Sequence, residues 1–323
     1  MSHPSNSDSR KVLRRRGRGS LGLGFLLAVA VAAASLIAGA QNNTPKKQAA
    51  PTRRQTILTP DTAPIRPAIP SANRYQRDKV FLERAAELRA EPGTDYQTVV
   101  GDVLFRKGDM YMYCDSALFF DGGAEVRAFG NVRMEQGDTL FVYGDELNYN
   151  DTTQLAILYA DTGKKVRLIN KDVKLTTDIF NYDLGIELGY YEVGGILTDK
   201  ENRLDSWYGE YSPASKDALF RENVHLKSLG ESDTLDIYTE EMLYNTLTHI
   251  AILDTTSTII SGDGTIYTRS GVYNTETSQA DLYSRSLVVA KNGNTLTGDT
   301  LFYDRNLGFG EAFGNIELTD TTN

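Results

Sequence analysis

The residues most able to carry chemistry in this sequence are acids that cluster in GDTLFVYGDELNYN, residues 137–150. Asp138, Asp145 and Glu146 stand close together there, and such a group suggests a metal site or a pair of catalytic carboxylates. However, Gly-Asp pairs also begin at residues 101, 108, 144, 262 and 298. The acids therefore recur along the chain instead of marking one place.

The position of Asp145 can be compared along the chain because the surrounding sequence repeats. The corresponding positions hold Asp115, Asp178, Glu240 and Asp299, but also Trp207 and Arg269. A metal ligand or a catalytic acid is normally unique within a chain, whereas this residue recurs and is sometimes replaced. We therefore interpret Asp145 as an acceptor of backbone hydrogen bonds at a bend, and Asp138 as a residue that shapes a turn.

Other chemical groups are scarce. His3 lies near the start, while His225 and His249 stand alone on predicted strands, so zinc sites and Ser-His-Asp catalysis have few ligands to use. Cys114 is the only cysteine, which excludes an internal disulfide and favours a small buried residue. No cofactor, metal or catalytic residue is predicted, although a carboxylate pair for glycoside cleavage stays an alternative.

The elements that would position any site are set by an internal repeat, an aromatic residue followed seven positions later by Ala or Gly. The pairs are Tyr149 and Ala156, Tyr182 and Gly189, Tyr211 and Ala218, Tyr244 and Ala251, Tyr273 and Ala280, and Tyr303 and Gly310. The flanking runs of β-branched and aromatic residues predict two or three strands in each unit of about thirty residues. Such a unit cannot bury its own apolar face, so the units must stack.

The alternation of side chains gives each strand two faces, and either of them could point inward. In Leu140, Val142, Leu147 and Tyr149 the apolar positions change parity at residues 144–145, which indicates a bend or bulge. The small residue of each pair would accommodate backbone or an aromatic ring from the next unit. These features predict an all-β stack, folded over one apolar interior and open at its ends. Residues 77–93 have helical propensity, but they fit the repeat and are predicted as strand.

The chain begins with features of an export signal. Residues 1–40 combine a basic start with the apolar run LGLGFLLAVAVAAASLIAGA, typical of a signal peptide, with an uncleaved anchor as the alternative. Residues 41–74 hold six prolines and predict a flexible linker. The repeat domain would cover residues 75–323 and end a few residues into a new repeat. These features predict a periplasmic protein, tethered to the inner membrane or associated with the outer membrane.

The net charge excludes nucleic acid as a partner. The chain has 34 basic and 43 acidic residues, and removing residues 1–40 takes away six basic residues and Asp8, which leaves a net charge of −14. Binding to phosphate backbones depends on Lys and Arg. An acidic surface of this kind would repel them.

Two stretches resemble a known family. VVGDVLFRKGDMYMYCDSALFF, residues 99–120, and EVRAFGNVRMEQGDTLFVYGDELNYN, residues 125–150, are similar to the OstA-like proteins, which are related to the LptA family and to the N-terminal domain of LptD. The shared theme is a Gly-Asp turn, a strand, an Asp bend, an aromatic residue and a Gly-Asn pair such as that at residues 130–131. The resemblance covers about residues 80–323 and includes no catalytic fingerprint.

The resemblance implies a stacked-strand β-jellyroll whose apolar interior shields the acyl chains of lipopolysaccharide, or of another envelope lipid, during transport to the outer membrane. Its open strand edges would join it to other Lpt-type components or to itself. The predicted lipid-binding groove is lined by Leu140, Val142, Leu147, Tyr149, Phe180, Tyr182, Met242 and Tyr244. Two rival hypotheses are an exported structural or adhesive β-solenoid and a carbohydrate-active β-helix enzyme, which would need a non-repeating charged cluster in a cleft.

Overall fold

The computed structural model of the protein describes residues 79–230 and 234–321. The predicted export signal and the proline-rich linker lie outside these residues. Within the described part the chain is all-β, as predicted, and its 26 strands belong to one antiparallel sheet. No helix long and apolar enough to cross a membrane occurs among the described residues.

The strands are short, apart from six of 11 or 12 residues. In chain order they are β1 Phe81–Arg84, β2 Glu87–Ala90, β3 Tyr96–Lys107, β4 Met110–Phe120, β5 Glu125–Gln136, β6 Leu140–Asn150, β7 Leu155–Tyr159, β8 Val166–Asn170, β9 Val173–Thr177, β10 Ile179–Asp183, β11 Leu188–Tyr191, β12 Gly195–Thr198, β13 Asn202–Ser206, β14 Tyr208–Tyr211, β15 Asp217–Ser228, β16 Leu235–Asn245, β17 Ile250–Leu253, β18 Ser257–Ser261, β19 Gly264–Thr268, β20 Gly271–Asn274, β21 Gln279–Leu282, β22 Ser286–Ala290, β23 Thr295–Gly298, β24 Thr300–Asp304, β25 Phe309–Phe313 and β26 Glu317–Thr319.

The sheet is folded over into two layers that share one apolar interior. The first half of β6 pairs with β8, while its second half pairs with β7, and the same division continues along the chain. We call the layer that contains β7, β10, β11 and β14 layer A, and the layer that contains β8, β9, β12 and β13 layer B. The long strands β3–β6, β15 and β16 run through both layers.

The chain passes from one layer to the other at a series of corners, which lie along one side of the stack. At the corner of β5 and β6 the register shifts between Phe129 and Val132, opposite Gly144. Burial also changes parity there, from Val142 to Leu147. The predicted bend at residues 144–145 is therefore confirmed.

Hydrogen bonds between residues sixteen positions apart connect successive corners. The carboxylate of Asp115 accepts from the Asn131 amide at 2.8 Å, and Asp299 accepts from Asn315 at 2.8 Å in the same way. The Asp145 carboxylate instead accepts from the backbone N–H of Asp161 at 2.9 Å. At two other corners the residue just before Glu240 or Arg269 makes the bond through its hydroxyl, with Thr239 bonded to Thr255 and Thr268 to Ser284.

The repeat of aromatic and small residues forms one continuous cross-strand row in layer A. Its members pair directly across twelve successive strands: Tyr149, Ala156, Tyr182, Gly189, Tyr211, Ala218, Tyr244, Ala251, Tyr273, Ala280, Tyr303 and Gly310. Small residues alternate with tyrosines because the rings need the space. A Cβ on Gly189 would lie 2.3 Å from the Phe180 ring. The row confirms the predicted packing and the thirty-residue unit.

The spacing of seven residues follows from the turn after each tyrosine. Asn150 follows Tyr149, and its Oδ1 accepts from the backbone N–H groups of Thr152 and Thr153. Asn245 and Asn274 make the same side-chain turn after Tyr244 and Tyr273. Asn and Asp favour such turns because the side chain replaces a backbone acceptor.

Candidate functional site

The apolar interior between the layers holds every residue that was predicted to line a lipid groove. Leu140, Val142, Leu147, Tyr149, Phe180, Tyr182, Met242 and Tyr244 are all buried, with at most 3% of each residue exposed. Leu140 and Val142 belong to layer B, whereas the other six belong to layer A. The parity assigned from the sequence is therefore the inward one, and the eight residues belong to one core cluster.

The interior is filled by these side chains. The apolar cavity that the structure shows near its C-terminal end, between Ile259, Ile266, Tyr273, Val288 and Leu301, has a volume of about 40 Å³. A cavity of that size admits only a few water molecules. An acyl chain can therefore enter only if the two layers move apart.

The side opposite the corners, which we call the mouth, is where the hairpin turns of the two layers face one another. Polar contacts join the two layers across it at five places, and we call this set the seam. From the N-terminal end the seam contains Lys107–Asp151, Gln136–Glu187, Asn170–Lys216, the Asp199 and Asn202 group with Tyr244 and Thr275, and Asp263–Arg305.

The first seam contact is a largely buried ion pair. Lys107 Nζ lies 2.5 Å from Asp151 Oδ1, and only 9% of the lysine side chain is exposed. The Tyr149 hydroxyl donates to the same carboxylate oxygen at 2.9 Å, while the lysine ammonium lies over the Tyr149 ring. Burial, and then the bond to Asp151, raise the pKa of Tyr149 well above its usual value. This contact ties the start of the tyrosine row to layer B.

The central seam contact is a buried carboxylate with several donors. Asp199 accepts from the backbone N–H groups of Glu201 and Asn202, and from the Tyr244 hydroxyl at 2.6 Å. The Asn202 amide donates to the hydroxyl groups of Tyr244 and Thr275, both at 2.9 Å. The surrounding core, followed by the Asp199 charge, raises the pKa of Tyr244 far above its usual value. The Tyr244 hydroxyl is thus a protonated donor at neutral pH.

His249 also lies at this contact, with Nδ1 3.8 Å from Asp199 and 3.2 Å from the Tyr244 hydroxyl. The prediction that His249 stands on a strand is wrong, because the residue ends the turn between β16 and β17 with a φ of 57°. The side chain of Asn245 holds that turn and prevents the strand from continuing. His225 does lie on a strand, β15, as predicted.

The remaining seam contacts place amides and cations between the layers. Lys216 Nζ donates to Asn170 Oδ1 at 2.5 Å, and Gln136 donates to Glu187 at 3.2 Å. Burial, together with the nearby Lys171, lowers the pKa of Lys216. Arg305 reaches from layer A towards Asp263, at 3.8 Å, and towards the Thr234 carbonyl, at 3.4 Å. The seam is therefore polar at both ends and at its centre.

The acids that first suggested chemistry have structural roles. Asp145 accepts from Lys164 and from the backbone of Asp161, and these two contacts lower its pKa. Across residues 79–230 and 234–321, no three His, Cys, Asp or Glu side chains are placed to hold a metal ion. Asp145 thus marks a corner, as interpreted from the sequence. Cys114 is buried, also as predicted, and burial raises the pKa of its thiol to about 12.

Apart from Tyr244, the seam residues were not recognised from the sequence, although one signal was present. Lys107 continues the inward parity of Val103 and Phe105, and Asn170 continues that of Val166 and Leu168. A polar side chain at an inward position at the end of a strand needs a buried partner. The partner itself is not visible in the sequence, because it belongs to a distant turn of the other layer.

Both ends of the stack expose strand edges within the described residues. At one end, β1 and β2 pair with β3, and Phe81 and Leu88 are each 49% exposed. At the other end, β25 and β26 pair with β24 and β23, and Phe313 and Leu318 are more than half exposed. Exposed backbone donors and acceptors with apolar side chains are features of edges that accept another strand.

A stacked β-jellyroll with an apolar interior and a closable mouth is the class of protein that this geometry defines. Residues 77–232 match the family model of OstA-like proteins, and residues 189–289 match the model named lipopolysaccharide-assembly, LptC-related. Residues 77–232 are therefore similar to OstA-like proteins, which confirms the resemblance for this part of the chain.

Solved structures and curated proteins were also compared with the chain. One similar structure is LptH from Pseudomonas aeruginosa, described as the LptA homologous periplasmic component of the lipopolysaccharide transport device. It is 16% identical, the match covers 33% of this chain and 76% of that chain, and the TM-score is 0.29. No curated protein matches the chain.

Proposed function

We propose that this protein is a non-enzymatic periplasmic conduit that carries lipopolysaccharide, or another envelope lipid, towards the outer membrane with its acyl chains in the interior between the two layers. The observation that carries the proposal is a two-layer stack, similar to OstA-like proteins, whose apolar interior has polar contacts between the layers along one side. The predicted export signal would place the protein in the periplasm.

The energetics allow the interior to open for a lipid. Burying a CH₂ group stabilises by about 0.8 kcal/mol, so an acyl chain of about twelve carbons contributes on the order of 10 kcal/mol. A hydrogen bond contributes about 0.5–1.5 kcal/mol net, and one to a charged group about 1.5–3 kcal/mol. Five seam contacts are therefore of the same order as the burial of one acyl chain. Loading would exchange contacts within the core for contacts with the acyl chain.

The proposal is tested by locking the seam. Asn170→Cys combined with Lys216→Cys places two thiols across the mouth, and a short bifunctional thiol reagent would join them. A matched control joins Arg221→Cys to Glu241→Cys, whose native side chains also contact each other, at 2.6 Å, but on neighbouring strands of one layer. Cys114 should stay unmodified because it is buried and its thiol pKa is about 12.

The measurement is capture of lipopolysaccharide by a photo-crosslinking amino acid at Met242, inside, compared with one at Leu243, whose side chain has the opposite parity. We expect capture from position 242 in the unlocked protein and in the control, and loss of capture after the mouth is locked. Equal capture before and after locking would reject entry through the seam. Capture from position 243 alone would reject the interior as the lipid site.

We also propose that the exposed strand edges at both ends join this protein end to end with other Lpt-type components or with itself. The exposed Phe81 and Leu88 at one end and Phe313 and Leu318 at the other support strand addition. Sedimentation over a range of concentrations should show association of the unmodified protein. Leu88→Pro should weaken it, because proline removes an edge N–H group. A protein that stays strictly monomeric at high concentration would contradict self-association.

A further inference from the structure

A second surface, on the outside of the corners, has features of a binding site that the conduit does not use. Two depressions run along it, with volumes of about 710 and 460 Å³. Lys165 lines both, so they form one continuous feature, which we call the corner furrow. It lies on the opposite side of the stack from the mouth, so a lipid entering through the seam would not fill it.

One half of the corner furrow is lined by alternating tyrosine and arginine side chains. Tyr113, Arg133, Tyr143 and Arg167 pair in direct register across β4, β5, β6 and β8. The Arg133 guanidinium lies 4.1 Å from the centre of the Tyr113 ring, and that of Arg167 lies 5.3 Å from the centre of the Tyr143 ring. A guanidinium stacked on a ring keeps its N–H groups available for a phosphate or carboxylate.

The charges in this half are compensated unequally. Lys164 pairs with Asp145 and Asp161, Lys165 with Asp178, and Arg133 approaches Glu135 at 3.4 Å. Arg167 has no carboxylate within 4 Å in residues 79–230 and 234–321, and its side chain is exposed. Asp102, Asp115 and Asp145 also line this depression, but they contact Arg84, Asn131 and Lys164, so Arg167 is a lining cation whose charge no carboxylate of the described residues compensates. An anionic group would bind there.

The other half of the corner furrow contains Trp207, the only tryptophan of the chain. It occupies the corner position at which Asp115, Asp145 and Asp299 accept hydrogen bonds from the next corner, and it is 54% exposed. Asn223 and Asp205 lie beside it in the same depression. An exposed indole face next to amide and carboxylate groups suits a sugar ring, whose C–H groups pack on the ring while its hydroxyl groups form hydrogen bonds.

The two halves are separated by a distance that an oligosaccharide can span. Arg167 lies on β8, and the strand that leads to Trp207 is β13, three strand steps away through β9 and β12. At 4.7–4.9 Å for each step, the separation is about 14 Å. We propose that the corner furrow binds an anionic oligosaccharide, with a sugar ring on Trp207 and a phosphate or carboxylate group at Arg167.

The position of Trp207 makes it an intrinsic reporter of binding. Titration of the full chain with oligogalacturonate, a carboxylated probe, should change the tryptophan fluorescence in a saturable way, whereas neutral maltohexaose should bind much more weakly. Arg167→Gln should weaken oligogalacturonate binding about tenfold or more, because a charge-assisted hydrogen bond is lost. Arg221→Gln is the matched control, since Arg221 also lies over a tyrosine ring but outside the corner furrow.

A second variant, Trp207→Ala, measured by calorimetry, should weaken binding without changing the circular dichroism of the sheet. A third probe, the delipidated sugar portion of lipopolysaccharide, identifies the source of the ligand. Its binding would assign the corner furrow to the sugars of the cargo, whereas binding of oligogalacturonate alone would assign it to a separate envelope polysaccharide. The proposal is overturned if none of the probes binds, if maltohexaose binds equally well, or if Arg167→Gln and Arg221→Gln have equal effects.

Discussion

The corners and the mouth close the same two-layer stack by different means. At the corners the chain itself passes between the layers, and hydrogen bonds between residues sixteen positions apart recur from unit to unit. Across the mouth no part of the chain in residues 79–230 and 234–321 connects the layers, and the seam joins residues 42 to 73 positions apart with contacts that differ in every case. Under the proposed function, this difference assigns the hinge to the corners and the opening to the mouth.

The largest expected loss in the free energy of unfolding comes from alkaline pH, because several tyrosines of the layer A row are buried. Burial raises the folded-state pKa of Tyr149, Tyr182, Tyr211 and Tyr244 above the ordinary value of 10.0. Their contribution is therefore complete below pH 10 and is lost as the pH rises, since only the unfolded chain releases the protons. Each tyrosine costs about 1.4 kcal/mol for each pH unit above 10, so four together cost roughly 6 kcal/mol for one pH unit.

Urea unfolding followed by circular dichroism between pH 8 and 11 measures this loss, and absorbance at 295 nm reports tyrosine ionisation. Tyrosines at the surface also contribute to this absorbance, so we expect a separate part of the change, from the buried tyrosines, to appear only together with unfolding. Ionisation of all the tyrosines with an intact sheet would show that the buried tyrosines are accessible to solvent, and the comparison between mouth and corner would fail.

Removing a buried tyrosine hydroxyl should lower the free energy of unfolding by an intermediate amount. Two such hydroxyls, one at the mouth and one near a corner, allow a direct comparison of the two sides of the stack. At the mouth, Tyr244 donates to the buried Asp199 carboxylate, whereas near the corner Tyr191 bonds to the neutral Ser206 hydroxyl at 2.7 Å. Tyr244→Phe should cost about 2 kcal/mol or more in the free energy of unfolding, and Tyr191→Phe about 1 kcal/mol. Chemical denaturation of both variants measures the difference. Equal costs would mean that the seam is no stronger than a corner contact.

The smallest change in the free energy of unfolding is expected when an acidic residue at a corner is replaced. Asp145→Asn should cost less than about 1 kcal/mol at pH 7, because the contact with Lys164 is at the surface. The Lys164 ammonium lowers the folded-state pKa of Asp145, so its contribution is present above the unfolded value of about 3.8 and is lost as the pH falls through the folded value. The exposed Asp138→Asn is the control. A large cost at neutral pH would show that this corner depends on charge.

The fold was predictable because its information is local. Alternation along each strand indicated which residues share a face, and the repeat of tyrosine and alanine or glycine reported direct cross-strand pairs such as Tyr149 with Ala156. The parity change at residues 144–145 reported the corner. These features depend on neighbours in the chain, which a sequence displays directly.

The seam was not predictable for the opposite reason. Whether Lys216 meets Asn170 depends on how far layer A is displaced along the stack relative to layer B, which no short stretch of sequence encodes. The turn that holds His249 was also missed, since the strand pattern seemed to continue while the Asn245 side chain ended it. Trp207 was visible as an exception to the corner acids, but its exposure required the structure.

The alternation of tyrosine with alanine or glycine also makes the length of this protein adjustable. Each thirty-residue unit adds two strands to each layer, which extends the stack by roughly 10 Å. A unit could be duplicated or deleted without disturbing its neighbours, since every tyrosine would still face a small residue. The stack can therefore become longer or shorter in fixed increments of one unit.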